Sequence, residues 1–266
     1  PVVNMGLHAS LGISYFLAET ELVAKKGDIV IWSFEYYEAD KRAINGDDDI
    51  KALAYNALPE IYDNLSWKDK AGFLQFKYFY YQGLNKRLHK LHHNAVKAPV
   101  ALHWLSFITE LVPGPGDWYL TNKMDSSRFV YKRAVFNKYG DIYTHLYLKP
   151  ENSALADKNA GPNLKEGYKE EVELINNCAD RLKDKGVRVY YYFPSFAQSE
   201  VEHNRAELDT LEFEYKKLLH VPVINSISTV AYPDSLFYNT TFHLNKIGRE
   251  QNTRKIIDIL KNKCNL

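Results

Sequence analysis

Lys26-Gly27-Asp28-Ile29-Val30-Ile31-Trp32-Ser33-Phe34 is the stretch on which the reading of the fold turns. Gly27 marks a helix stop, because glycine tolerates the left-handed backbone that ends a helix. The apolar run at 28–34 then reads as a buried strand. Working outward, residues 11–25 carry mixed helical spacing, and the apolar run at 2–7 reads as a further buried strand. Strand, helix and strand in such close succession predict a βαβ unit of a parallel sheet.

The alternation returns in the last third of the chain. Val172, Ile175, Cys178, Ala179 and Leu182 form a helical stripe within residues 165–185, and Gly186 ends it. Residues 187–193 (Val-Arg-Val-Tyr-Tyr-Tyr-Phe) read as a strand closed by Pro194. Residues 200–219 read as one helix with Leu208, Leu211, Tyr215 and Leu218 on one face. A short strand at 221–225 follows, then a terminal helix at 245–261 with Ile256, Ile257 and Leu260 inward. Residues 47–112 have a helical pattern, with an aromatic cluster (Phe73, Phe76, Tyr78, Phe79, Tyr80, Tyr81) and a basic stretch at 84–97. Pro113-Gly-Pro-Gly116 breaks it, and residues 121–161 show no clear period. The expected fold is α/β, a doubly wound parallel sheet. Residues 1–46 and 161–266 form the two parts of that domain, and residues 47–160 form a helical insertion or cap. Ligands of such sheets bind beyond the C-terminal ends of the strands. That rule singles out residues 6–12, 33–38, 194–199 and 226–245.

Composition excludes some functions. Hydrophobic residues at 45% and charged residues at 25% describe an ordinary globular chain, and a net charge of +1 gives no electrostatic reason to expect nucleic acid. Cys178 and Cys264 lie far apart and in no ligand-like spacing, so no disulfide framework is indicated and a bridge between them stays open. No apolar run has the length of a membrane span, and no signal peptide is visible. Twenty tyrosines suit either a carbohydrate-facing cleft or a core that reaches water at one end. The chain opens at Pro1 inside a strand-like run, which creates the expectation of a preceding segment.

Four places could carry chemistry. His243 lies in the loop Asp234-Ser-Leu-Phe-Tyr-Asn-Thr-Thr-Phe-His-Leu-Asn245, just before the last helix, with polar Asn239, Thr240 and Thr241 upstream. A loop histidine beside an oriented polar partner can act as a general base, and it can equally cap the helix. The turn His8-Ala9-Ser10-Leu11-Gly12 could present backbone N–H groups to an oxyanion, with Ser10 as a nucleophile or merely a helix cap. It is also a loose match to a G-x-S-x-G elbow, with His8 replacing the first glycine. Glu35 and Glu38 end the second strand, where one could enter the cleft. His89 and His93 stand one helical turn apart without a third ligand, so a solvated face or an anion-facing surface is the better reading and no metal is expected. Asn64-Leu-Ser66 and Asn239-Thr-Thr241 match a glycosylation pattern that is common by chance.

Taken together, Val2-Val-Asn-Met-Gly-Leu-His8, Lys26-Gly-Asp-Ile-Val-Ile-Trp-Ser-Phe-Glu-Tyr36 and Phe237-Tyr-Asn-Thr-Thr-Phe-His-Leu-Asn-Lys-Ile-Gly248 resemble bacterial SGNH (GDSL-like) hydrolases, including members associated with cell-envelope polysaccharides. The resemblance covers roughly residues 1–38 and 165–262. It implies a flavodoxin-like sheet and a Ser–His esterase site. By that resemblance His243 is the catalytic histidine and Asn239 stands where similar proteins tend to have aspartate. The oxyanion glycine falls near Ala9, beside Gly6 and Ser10, and Glu35 occupies the place of an oxyanion-hole asparagine. In the D-alanyl transfer protein of teichoic acid, a related arrangement has glutamine there. The block bearing the nucleophilic serine is expected upstream of Pro1.

The resulting expectation is a serine esterase or O-acyltransferase acting on an acylated carbohydrate or another cell-envelope ester. It would use no cofactor and no nucleic acid. Trp67, Trp104, Trp118 and the tyrosines of the insertion would cover the substrate groove. The resemblance also implies an extracytoplasmic or membrane-anchored location in a bacterium, with a tether ahead of Pro1. Two alternatives stand beside it. One is a catalytically degenerate binding or scaffolding protein of polysaccharide assembly, suggested by Asn239 and Glu35. The other is an esterase that uses Ser10 as its own nucleophile.

Overall fold

The computed structural model describes residues 2–6, 11–36, 63, 67, 70, 161–162, 164 and 168–263. The chain divides into two compact units. One comprises Pro1–Asn4 with Leu65–Thr144, and the other Met5–Asn64 with His145–Leu266. In the first, Trp67 and Lys70 are helical, and the Lys70 ammonium lies 5.7 Å from the centre of the exposed Trp67 ring. The second unit is mixed helix and strand, broadly α/β, with small parallel sheets.

Its frame begins at helix α1 (Ile13–Val23) and strand β1 (Ile29–Trp32). Gly27 has φ 93° and Gly186 has φ 80°, and Gly27 N–H donates to Gly186 O at 2.9 Å. Two residues able to take the left-handed backbone thus bring two helix exits together. From that contact β1 runs parallel to β2 (Arg188–Tyr191), in a register that sets Ile29 against Arg188 and Trp32 against Tyr191. Arg188 N–H to Asp28 O and Tyr192 N–H to Trp32 O extend the ladder at each end.

On the far edge of β2 the expected strand at 221–225 is reduced to one parallel bridge, Tyr191 to Val223. Pro222 supplies no N–H for a longer ladder. Asn225 replaces it with a side chain: its Oδ1 accepts from Phe193 N–H at 2.7 Å and its Nδ2 donates to Phe193 O at 3.0 Å. A second small parallel sheet pairs β3 (Phe196–Ala197) with β4 (Ala231–Tyr232).

Helices cover both faces of the β1–β2 ladder. Tyr191 meets Tyr215 of α4 (Arg205–Leu218) edge-on, with ring centres 5.3 Å apart. The next residue, Tyr192, donates from its hydroxyl to Asn252 of α5 (Lys246–Lys263) at 2.9 Å. Successive strand side chains point to opposite faces, so α4 and α5 lie on opposite sides. Helix α2 (Tyr168–Asp184) packs beside α1 and α4. Buried Cys178 on α2 directs its Sγ toward Leu17 O of α1 at 3.7 Å, and burial, reinforced by Glu21, pushes its thiol up to about 12. Between α2 and α4, Tyr215 donates to Glu171, while Asn176 donates to Leu218 O and accepts from His220 N–H.

Several expectations need correction. Residues 2–6 form no strand, and Val2 and Val3 are 87% and 63% exposed. An apolar run becomes a strand only where a ladder partner is open to it, and neither small sheet includes this one. The single helix read at 200–219 is two, α3 (Gln198–His203) and α4, separated by Asn204. Asn204 spends both its backbone N–H and its Nδ2 on Glu200 O, the kind of local bond by which asparagine interrupts helices. On α5 the inward residues are Ile256, Ile259 and Leu260, whereas Ile257 is 44% exposed. The insertion features at 73–116, the pair His89 and His93, and Asn64, Trp104, Trp118 and Cys264 lie outside the described residues.

Two outcomes follow for stability. Glu171 is 1% exposed and burial pushes its carboxyl up to about 7 against the opposing pull of the Tyr215 hydrogen bond. Buried Glu19 is likewise raised to about 7 by desolvation. Both hold protons in the fold that the unfolded chain releases near 4.5. Stability is therefore expected to fall as pH rises from about 4.5 to about 7, by roughly 2–3 kcal/mol for Glu171. Urea midpoints across that window measure the slope, which Glu171→Gln should flatten. Asn225→Ala should lower stability by about 2–4 kcal/mol in the same assay, because it strands a buried N–H and C=O.

Candidate active site

The loop carrying His243 is a short hairpin. A 3-10 turn at Asp234–Leu236 leads into Phe237, which forms an antiparallel bridge with Leu244. Tyr238 N–H donates to His243 O at 2.7 Å, and Asn245 N–H donates to Leu236 O at 2.8 Å. At the tip, Thr240 Oγ1 accepts the His243 N–H at 3.1 Å and lies 3.4 Å from Phe242 N. A threonine hydroxyl thus turns the backbone back on itself three residues later.

The hairpin is fastened to the C-terminal ends of the strands by an aromatic contact. Phe242 stacks on Phe196 of β3 with centres 4.7 Å apart and planes at 24°. Tyr36, just past β1, meets both rings, at 4.9 Å from Phe196 and 5.8 Å from Phe242. Its hydroxyl donates to Pro194 O at 3.3 Å. Ala197 N–H also donates to Thr241 O at 3.0 Å. His243, one residue past Phe242, is therefore held at the carboxyl edge of the β1–β3 strands, and it is half-buried there.

Its ring Nδ1 lies 3.0 Å from Asn239 Oδ1. An amide oxygen only accepts, so Nδ1 is the donor in this contact. In the neutral ring, a proton on Nδ1 makes Nε2 the basic nitrogen, which is what a general base needs. The amide sets the tautomer without a negative charge, so it gives an imidazolium less support than a carboxylate would.

The remaining candidates are placed as follows. Glu35 is half-buried between buried Phe34 and Tyr36, next in sequence to the Tyr36–Phe242 contact. Gly6 is exposed in irregular backbone. His8, Ala9, Ser10 and Glu38 lie outside the described residues. The structure thus brings His243 and Asn239 together and sets the end of β1 beside their loop. Sequence reading passed over Thr240 as a backbone clip, although a threonine three residues before a loop histidine is the available signal. It also passed over Asn245, whose position just before a helix marks it as a cap. Thr241 is 0% exposed, with its Oγ1 unpartnered among the described residues.

Among the described residues no three His, Cys, Asp or Glu side chains form a metal-binding group, and no helix is long and apolar enough to cross a membrane. A groove of about 440 Å³ runs along α5 past Arg254, Lys255 and Lys263, and another of about 380 Å³ lies beside Leu208 and Phe213 of α4. Neither is lined by His243, and the site rests on side-chain pairing rather than on either groove. Compared with protein-family models, curated proteins and solved structures, the chain matches none.

Asn239→Asp is expected to raise the His243 pKa by roughly 1 or more, since a carboxylate facing Nδ1–H favours the charged ring. Titration of the imidazole signals by NMR measures it. An unmoved pKa would mean that residue 239 does not govern the ring.

Proposed function

We propose that this chain is an SGNH-like serine esterase or O-acyltransferase acting on an acylated glycan or a related cell-envelope ester, with His243 as its general base. One observation carries the reading: an imidazole with Nδ1 occupied by Asn239, held on a hairpin at the carboxyl edge of parallel strands. A doubly wound SGNH sheet accommodates the β1–β2 ladder, the Val223 bridge and the helices on both faces.

In the proposed chemistry a serine on a segment preceding Pro1 attacks the ester carbonyl as Nε2 of His243 takes its proton. The C–O bond of the ester breaks and the leaving alkoxide receives that proton, which leaves an acyl-serine. Water, or the hydroxyl of an acceptor sugar, then attacks the acyl-serine while His243 accepts its proton; the acyl–serine C–O bond breaks, the serine oxygen takes that proton back, and the acid or the acylated sugar is released. By the resemblance, the Ala9 N–H would hold the oxyanion, with Gly6 and Ser10 near it in sequence. Glu35 would contribute there in its protonated form, since an ionised carboxylate repels developing negative charge. The proposed setting is the outer side of a bacterial membrane, with a tether ahead of Pro1. No cofactor enters the scheme.

The neutral Asn239 favours a second reading, in which the chain keeps the fold as a binding or scaffolding module of polysaccharide assembly. Ester turnover by the full-length protein separates the two. On acetylated oligosaccharides and a chromogenic acetate, His243→Ala is expected to lower kcat/KM by at least about 100-fold with little change in Tm. Undiminished turnover in that variant would refute the base role. A full-length parent that binds glycan without turning over ester would favour the second reading.

A further inference from the structure

We propose that Asn245 is a positioning residue for His243, acting as a clasp that sets the two arms of the hairpin against each other. The inference rests on reading His243 as the base. Asn239 stands on the incoming arm and His243 on the outgoing arm, so the Nδ1 to Oδ1 contact of 3.0 Å survives only while the arms keep their register. Asn245 fixes that register from below. Its Oδ1 accepts from Ile247 N–H at 3.0 Å and Gly248 N–H at 3.1 Å, which caps α5. Its Nδ2 donates to Ser235 O at 2.8 Å, and its backbone N–H donates to Leu236 O. One side chain, 9% exposed, therefore ties the incoming arm to the first turn of the last helix.

Gly248 completes the clasp. A Cβ there would stand 2.6 Å from Leu236 O and 2.8 Å from Leu244 Cδ2. The helix can approach the hairpin this closely only because residue 248 has no side chain.

Two functions of Asn245 are separable by substitution. Asn245→Ser keeps a good helix cap and loses the bond to Ser235 O. If Asn245 serves α5 alone, serine is a near-neutral replacement. If it positions His243, serine releases the incoming arm. The expected result in Asn245→Ser is a mixture of His243 ring tautomers and faster exchange of its Nδ1 proton, read from the ¹⁵N signals of the imidazole. Where the parent turns over ester, kcat should fall by roughly tenfold with KM little changed. Gly248→Ala, which pushes on Leu236 O while leaving residue 245 an asparagine, should shift the same ring signals.

Asn176→Ala is the control. That residue also joins two backbone groups through one amide, at Leu218 O and His220 N, on the seam between α2 and α4. Loss of stability there should leave the His243 signals in place. Ring signals in Asn245→Ser and Gly248→Ala that superimpose on the parent would overturn the proposal. So would an equal shift in Asn176→Ala, which would make the effect general loosening. The ring signals decide this independently of ester turnover, so failure of the enzymatic reading is distinguishable from failure of the clasp.

Discussion

Parallel pairing of β1 with β2 is the constraint from which the described unit is built. The two strands lie far apart in sequence, and the chain between them must leave and return to one ladder. Closure entropy grows only with the logarithm of loop length, so a long intervening segment adds little further penalty once the ends are held. The ends are held well. The Gly27–Gly186 contact sets the start of the register, and the Tyr192–Trp32 hydrogen bond continues it past the last pair. Apolar helices then close the ladder from both sides, through Leu211 and Tyr215 on one side and Ile256 and Leu260 on the other.

The site inherits its position from that ladder through aromatic side chains rather than through backbone. Tyr36 follows β1, Phe196 lies in β3, and Phe242 precedes His243. Their mutual contacts carry the order of the sheet edge into an otherwise irregular loop. Within the loop the interactions are polar and short in sequence range: Thr240 to the His243 N–H, Asn239 to its ring, Tyr238 N–H to its carbonyl. Apolar packing decides where the histidine sits, and hydrogen bonding decides which way its Nδ1 faces.

The elements written in periodic apolar residues were legible. Helices within 11–25 and 165–185 and strands within 28–34 and 187–193 all appear. What sequence periodicity misjudged depends on partners. Val2 and Val3 look like a strand until no ladder includes them, and Val221–Asn225 looks like one until Asn225 substitutes an amide for the backbone pair. The break at Asn204 falls where its side chain adds a second bond to Glu200 O, which no apolar pattern encodes. At the site, His243 and its neighbour Asn239 could be singled out from residue type and spacing. The roles of Thr240, Asn245 and Gly248 could not, because each depends on which backbone group the fold delivers to it.

The buried thiol of Cys178 gives the molecule an internal clock. A thiol that ionises only near 12 and faces Leu17 O is inert to alkylating reagents while α1 lies against α2. Its modification therefore proceeds through transient separation of those two helices, and the rate of adduct formation reports how often the seam breathes. The helix that this sulfur faces is the one that precedes β1, and Tyr36 follows that strand.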